Sequence, residues 1–449
     1  MGCKSHSRSL LLWANGVRVG RWTPPARGEP ELQYDVAWVR SPQGRPLSLS
    51  LPFTLGNEPH RGQRVENCFD NLLPESQEIR KRVATRFKTG SMQPFELLRA
   101  IGRESVGAVQ LPGEHEQPQG ADRIEGEPVD DEAIERHLLD GVAPARFDVA
   151  AANTNRDDFR ISLAGAQEQD AFLWWNGRWH KPRGATPTTH IFKLPLGRVG
   201  GRQADFSTAV DNEWLCLRLL KAYGLPVADA EIRHFGKQRV LVVERFDRQL
   251  SGNRQCLLRL PQEDFCQVEG LSPLLKYESD GGPGLRQLFS TLKQSERAEQ
   301  DQRTLMAAQI LFWLLRAPDG HAKNFSIQIL PQGKFQLTRL YDVMSAYPTI
   351  GAGPNQWAPR EVRLAMALLG KDRHCHVHAI QRRHFNSTAR QVGYASDAEE
   401  LIQALLARTP AAVEQVRAEM SEGFSGRVAA SILRGLQQAA RALEAMPAG

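Results

Sequence analysis

The sequence predicts an α+β protein of more than one domain, and three observations carry that prediction. Residues 9 to about 53, and again 159 to about 250, alternate apolar and polar at the period of strands. After about 250 the apolar residues recur at helical spacing. Between these parts lies a polar, acidic stretch rich in proline and glycine, "PGEHEQPQGADRIEGEPVDDEAIE". A chain of 449 residues also exceeds what one simple core encloses.

The elements follow in order. "LLLWANGVRVGRW" and "LQYDVAWVR" read as short strands, with "ANG" and "SPQG" as turns. From 66 to 110 the period changes: "NLLPESQEIRKRVATRF" and "SMQPFELLRAIG" predict helices, the second with Ser91 as its N-cap. The acidic stretch reads as a linker. Strands return in "FRISLAG", "DAFLWWNGRWHK" with a turn at Asn176-Gly177, and "THIFKLP". The helix "STAVDNEWLCLRLLKAYG" ends at Gly224 and Pro226, and the strands "AEIRHFG" and "QRVLVVERFDR" follow. Helices then dominate in "DQRTLMAAQILFWLLRA", "DAEELIQALLARTPAAVEQVRAEM" and "GRVAASILRGLQQAARALEAM". The domains so predicted are a β-rich N-terminal subdomain with helices (1–110), an acidic linker (111–145), a small β-rich lobe (146–255) and a larger helical lobe (256–449).

Composition sets limits. Hydrophobic residues make up 41% and charged residues 24%, the profile of a soluble globular protein, and no apolar run is long enough for a membrane span. "MGCKSHSRSL" has no apolar core of a secretion signal, and His6 stands where a myristoylation start carries Ser or Thr. Six scattered cysteines without CxxC signal no disulfide framework, so the cytoplasm is expected. The net charge of +6 permits a polyanionic partner without requiring one.

The chemistry concentrates in "RAPDGHAKNFSIQIL", Arg316 to Leu330, where an apolar helix gives way to an alternating strand. Protein kinases place a base Asp and a metal-binding Asn five residues apart on one loop after a helix. Asp319 and Asn324 have that spacing. The hairpin "NFSIQILPQGKFQLTRLYD" then delivers Asp342, where that layout needs its main Mg²⁺ ligand. Asp319 would take or orient the proton of an acceptor hydroxyl, with His321 and Lys323 near the phosphate. The loop taken alone fits an Asx-capped turn into a hairpin equally well.

The small lobe supplies the rest. Lys193, inside the apolar strand "THIFKLP", is costly unless it meets an anion such as a nucleotide phosphate. Glu213 on the next helix stands between two readings, a partner that orients Lys193 or a solvated helix carboxylate. "VLVVERFDR" reads either as a hinge with Glu244, Arg245 and Phe246 at an adenine, or as a core strand with a polar end. No GxxxxGK[ST] or clean GxGxxG occurs. The small-residue turn in the right place is "SLAGAQEQ", whose backbone N–H groups could face phosphate oxygens.

"ISLAGAQE", "TPTTHIFKLP", "DNEWLCLRLLKAYGL", "VERFDR", "PQEDFCQ", "KYESDGGPG", "DGHAKNFS" and "LYDVMSAYP" stand in an order that resembles the HipA-type toxin kinases over nearly the whole chain. That resemblance implies a two-lobed protein-kinase-like fold carrying an N-terminal β-rich subdomain, and a serine/threonine protein kinase that uses ATP and Mg²⁺. It implies a small helix-turn-helix antitoxin as partner, operator DNA bound through that complex, and a protein substrate, by resemblance glutamyl-tRNA synthetase, whose phosphorylation brings dormancy. Carried over by position, Asp319 is the catalytic base, Asn324 and Asp342 hold the metal, and Lys193 is the phosphate lysine. Ala164, Gly165, Ala166, Gln167, Glu168, Gln169, Glu244, Arg245, Phe246, His321, Lys323 and Asn324 are nucleotide contacts. Ser162 matches the serine these kinases autophosphorylate to inactivate themselves; a dianion there would repel nucleotide phosphates. Gln169 departs from the lysine often found after "AGAQE", and residues 1–8 and 114–132 look like additions.

Two further signals remain open. "RHCHVH" alternates His374, His376 and His378 around Cys375, which a Zn²⁺ reading would use, but the catalytic scheme has no place for it. The basic segment from Arg360 to Arg390 is a solvated face or a sequence-independent contact to operator phosphates, with Arg390 the candidate. Two other functions stand beside the kinase toxin: a nucleotide-binding co-repressor without useful kinase activity, and a small-molecule kinase.

Overall fold

The computed structural model describes residues 8–24, 28–113, 116–142, 170–199, 204–353 and 355–448. The N-terminal subdomain opens with a four-stranded antiparallel sheet in sequential order, Leu10–Ala14, Val17–Thr23, Glu31–Tyr34 and His60–Arg61. Asn15 and Gly16 take φ of 49° and 81°, the left-handed pair that a tight two-residue hairpin demands. The strand expected through residue 40 stops at Tyr34. Val36–Arg40 is a short helix, because the Asp35 carbonyl accepts the Val39 N–H at 3.0 Å and starts a turn. Helices Gln63–Asp70, Gln77–Phe87 and Pro94–Ile101 cover the sheet. The second begins where the Ser76 hydroxyl accepts the Ile79 N–H; the third has Gln93, not Ser91, at its N-cap. Trp22 stacks on Phe69 with ring centres 4.0 Å apart at the centre of this subdomain's own core.

The acidic linker is corrected by the structure. Within it, Gly126–Val129 is a strand paired with Arg178–Pro182, and Asp131–Val142 is a helix. That helix buries Ile134 and Leu138 against Phe172, Phe192 and Phe235 of the small lobe. Asp131 and Glu132 are exposed, and the abundance of acidic residues masked a short apolar stripe at i, i+4 spacing.

The small lobe is a six-stranded antiparallel sheet. Its strand order is Ala230–Phe235, Gln238–Glu244, His190–Lys193, Asp170–Trp175, Arg178–Pro182 and Gly126–Val129. The turn at Asn176 and Gly177 is again left-handed at both residues, as expected. Leu241 pairs with Lys193, which fixes the lysine's place in the middle of the sheet. Helix Ala209–Ala222 packs on this sheet and carries Glu213.

The helical lobe is built round Ala298–Leu315, buried on nearly every side, with Glu399–Glu419 and Gly426–Ala445 against it. Among the described residues no helix is long and apolar enough to cross a membrane. Together these parts form the two-lobed, kinase-like α+β fold with an N-terminal β-rich subdomain.

The N-terminal subdomain is bonded into both lobes. Asn67 and Asn71 donate to the carbonyls of Gly270 and Leu271, each at 2.8 Å. The deepest junction lies at Glu104. Its carboxylate accepts from Arg245 at 3.0 Å, Arg248 at 3.0 Å and Arg259 at 2.7 Å, and Asp247 binds the first two arginines. Gly107 closes this junction with φ of +73°; a Cβ there would lie 2.7 Å from the Gln262 carbonyl oxygen.

Candidate active site between the lobes

The central helix stops at Leu315 because Arg316 takes a left-handed φ of 48° and its N–H returns to the Trp313 carbonyl. The chain then turns through Asp319 and Gly320. Glycine is required there: a Cβ would stand 2.5 Å from the Phe312 ring. Asn324 is 5% exposed and ties the loop together, its Nδ2 donating to the Asp319 carbonyl at 2.6 Å and to the Asp342 carbonyl at 3.3 Å. Those bonds spend the amide nitrogen and leave Oδ1 as the atom suited to a cation. Asp342 lies beyond the second hairpin strand, which ends at Leu337. It holds a left-handed φ of 57°, a conformation costing on the order of 1 kcal/mol or more that persists where surroundings impose it.

Lys193 joins the two lobes. Its ammonium donates to Glu213 Oε1 at 2.7 Å and to Asp342 Oδ1 at 2.9 Å. Glu213 is 4% exposed, which decides for the orienting partner over the solvated carboxylate. Burial pulls the Lys193 pKa down, but the charges of Asp342 and Glu213 more than offset it, and the lysine ends above its ordinary value. Burial pushes Glu213 up to about 7 against the pull of Lys193. Burial also raises Asp342, but Lys193 outweighs it and holds this carboxyl below its ordinary range.

Asp319 accepts a hydrogen bond from the Tyr277 hydroxyl. Burial raises its pKa, the Tyr277 bond opposes, and the Asp342 charge adds to the rise. His321 is pushed down to about 3, by burial first and by the Lys276 charge second, so its imidazole is neutral. The ring meets Tyr277 edge to face at 4.9 Å, and its buried Nδ1 has no hydrogen-bond partner.

Ile191, Val243, Glu244, Phe246 and Tyr341 line the cavity beside Lys193. Two expectations need correction. The Arg245 guanidinium belongs to the buried Glu104 cluster, not to the nucleotide, because Glu104 and Asp247 neutralise it. The Arg245 N–H is also committed, to the Thr189 carbonyl at 2.9 Å. Lys323 lines the cavity, but all three of its donors are spent: on Asp264, on Asn71 Oδ1 at 2.8 Å and on the Asn71 carbonyl at 3.4 Å. It is a brace between the loop from Asp319 to Asn324 and the N-terminal subdomain.

Asn71, Glu75 and Val106 also line the cleft, so the N-terminal subdomain forms part of it. Nothing in the sequence signalled those three. Lys276 and Tyr277 lay in "KYESDGGPG", a motif quoted for resemblance without a role. Ser162 and Ala164 through Gln169 lie outside the described residues. Among the described residues no group of three or more His, Cys, Asp or Glu could hold a metal. His374, from the histidine run, stacks on His384 with ring centres 3.7 Å apart. Arg390, in the last turn of helix Arg382–Val392, is exposed and donates to the Ser396 carbonyl at 3.3 Å.

Residues 161–413 match the HipA-like C-terminal domain and residues 10–112 the HipA N-terminal domain. The chain belongs to the HipA family of serine/threonine-protein kinase toxins. The "Putative kinase Y4mE" of Sinorhizobium fredii is 34% identical over 349 residues, 76% of this chain and 79% of that protein. The "Serine/threonine-protein kinase toxin HipA" of Shewanella oneidensis is 27% identical over 351 residues, 75% of this chain and 73% of that one. The fold matches HipA in the solved Shewanella oneidensis complex of HipA, HipB and operator DNA, with a TM-score of 0.76, 22% identity and 97% of each chain covered.

Proposed function

We propose that this HipA-family kinase transfers the γ-phosphoryl group of ATP to a protein serine, and that it acts as the toxin of a toxin–antitoxin pair. The observation that carries the reading is the convergence of Lys193, Asp342, Asn324 and Asp319 across a cleft between the lobes. The neutral cleft walls at Ile191, Val243 and Phe246 suit an adenine, and Lys193 suits the phosphates. Asn324 Oδ1 and the Asp342 carboxylate are hard oxygens fitting Mg²⁺, which needs few protein ligands when phosphates and water complete its shell. When bound, that ion would neutralise charge developing on the phosphates.

In the step proposed, the serine Oγ forms a bond to γ-phosphorus as the bond to the β–γ bridging oxygen breaks. The electron pair leaves with ADP, and Asp319 receives the hydroxyl proton. The raised pKa of Asp319 favours that role. By likeness to the family, the protein acceptor is an aminoacyl-tRNA synthetase, with glutamyl-tRNA synthetase the first to try. Ser162 is the proposed autophosphorylation site. A helix-turn-helix antitoxin is the proposed partner, and Arg390 reaches operator phosphates within that complex. The intact carboxylates and lysine support transfer over a co-repressor without chemistry.

The test is incubation of the purified chain with γ-labelled ATP and Mg²⁺, alone and with each purified aminoacyl-tRNA synthetase, followed by phosphopeptide mass spectrometry. Label on the peptide containing Ser162 and on one synthetase, abolished by Asp319→Asn, is the expected result. No label on any protein from the unaltered chain would refute the reading.

A further inference from the structure

A kinase site needs a cation at the phosphoryl group in flight, because charge spreads there as the bond breaks. Lys193 is held between Glu213 and Asp342, at the other side of the cleft. Lys323, on the catalytic loop, has spent its donors on Asp264 and Asn71. A third lysine lines the same cavity. Lys276 comes from the segment after the turn at Pro273–Leu275, and two bonds seat that segment on the catalytic loop. The Lys276 carbonyl accepts the Ala322 N–H at 3.1 Å, and the next residue, Tyr277, binds Asp319 through its hydroxyl. Its ammonium pairs with Glu75 at 2.7 Å and stands 5.4 Å from the Tyr277 ring centre. Lys276 lines the same cavity as His321, Lys323 and Asn324, beside the loop whose Asp319 its neighbour Tyr277 binds.

We propose that Lys276, rather than Lys323, is the catalytic lysine that contacts the transferring phosphoryl group, and that Glu75 of the N-terminal subdomain is the positioning residue that aims it. The proposal rests on the kinase reading above. In the transfer step Lys276 moves no proton. It donates hydrogen bonds to γ-phosphoryl oxygens while the bond to the β–γ bridging oxygen breaks and the bond to the acceptor Oγ forms. A single carboxylate at 2.7 Å lets the ammonium pivot onto a phosphate oxygen, whereas the three bonds of Lys323 do not. The N-terminal subdomain thereby becomes part of the chemistry, since Glu75 reaches the cleft from the loop between helices Gln63–Asp70 and Gln77–Phe87.

The experiment uses the full chain with γ-labelled ATP and Mg²⁺, and reads the initial rate of self-labelling together with affinities for ADP and for a non-hydrolysable ATP analogue. Lys276→Met is expected to lower the rate by about 10²- to 10³-fold. It should weaken the ATP analogue about tenfold and ADP less than about threefold, because only the γ-phosphoryl contact is lost. Lys276→Arg should restore most of the rate, and Glu75→Gln should fall between the unaltered chain and Lys276→Met. Lys323→Met is expected to lower the melting temperature more than Lys276→Met does and the rate of the folded fraction less. Unaltered-chain labelling that Asp319→Asn abolishes while Lys276→Met labels at full rate would overturn this inference and leave the kinase reading intact. A Lys323→Met chain that is fully folded yet loses more rate than Lys276→Met would also overturn it. An unaltered chain that never labels would bring down both.

Discussion

Glu104 offers the sharpest test of how the N-terminal subdomain is joined to the end of strand Gln238–Glu244. Its side chain is fully buried and serves Arg245, Arg248 and Arg259 at 3.0, 3.0 and 2.7 Å, with the Thr188 hydroxyl at 3.0 Å. Among the described residues Asp247 is the other carboxylate bonded to these arginines, so three guanidiniums there face two negative charges. The strain of that excess already shows: burial and the neighbouring Arg245 bring Arg248 down to about 10. Asp247 is lowered too, to about 2, because the arginines outweigh its burial. Glu104→Gln keeps volume and shape but removes the charge. Three buried cations would then face one anion, and breaking a buried pair in this way costs about 3–5 kcal/mol. For a chain of this size that corresponds to a fall in melting temperature of about 3–5 °C. Because Arg245 bonds Thr188 and the Ser105 carbonyl and its neighbours Glu244 and Phe246 line the cleft, nucleotide affinity should weaken as well. Thermal unfolding followed by near-ultraviolet circular dichroism, with and without ATP, measures both. A Glu104→Gln chain melting within about 2 °C of the unaltered one would show that the cluster contributes almost nothing, and the coupling argued here would be wrong.

Two further outcomes follow from perturbed carboxyls. Burial raises Glu263 to about 8, and its Oε2 has no partner; in the folded chain it keeps a proton that an ordinary carboxyl releases near 4.5. Unfolding therefore releases a proton between those values, so this group's contribution to stability falls as pH rises from about 4.5 to about 8. Glu263→Gln should flatten that slope in denaturant titrations run at several pH values, and an unchanged slope would remove Glu263 as its source. Tyr277→Phe deletes the hydrogen bond that favours the charged form of Asp319, so the Asp319 pKa should rise further and the acid limb of the rate–pH profile should move to higher pH. A limb that stays in place or moves down would show that Asp319 is not the titrating base.

What could be read from the sequence divides along a physical line. Elements with strong local signals formed as expected: both Asn-Gly hairpins, the helix that carries Glu213, the long central helix and the loop from Asp319 to Asn324. Lys193 was legible because a cation inside an apolar strand demands an anion nearby, and two are there. The helix Asp131–Val142 was not, since its acidic residues dominate composition while only a narrow stripe packs. Val36–Arg40 alternates like a strand yet turns as a helix, closed by the backbone bond from the Val39 N–H to the Asp35 carbonyl rather than set by period. Asn71, Glu75 and Val106 were invisible because nothing local marks a surface residue of one subdomain as a wall of another's cleft.

Arg245 and Lys323 show why motif position alone assigned charge wrongly. Each sits where sequence spacing puts a cation beside a nucleotide, and each lines the cleft. A cation acts on phosphate only if its nearest anion leaves donors to spare. Arg245 is claimed by Glu104 and Asp247, and Lys323 by Asp264 and Asn71. Three of those four partners, Glu104, Asp247 and Asp264, are carboxylates at most 8% exposed, where a lone charge would be several times costlier than at the surface. Swinging either cation onto a phosphate would strand a buried carboxylate, and the phosphate contact would have to exceed that cost before any gain appeared. On the same side-chain measure Glu75 is 12% exposed and Asp264 10%, so what sets Lys276 apart is its single carboxylate partner, against the three bonds that hold Lys323. The same reasoning predicts which cation moves when nucleotide binds: Lys276 changes partner, while Lys323 and Arg245 keep theirs.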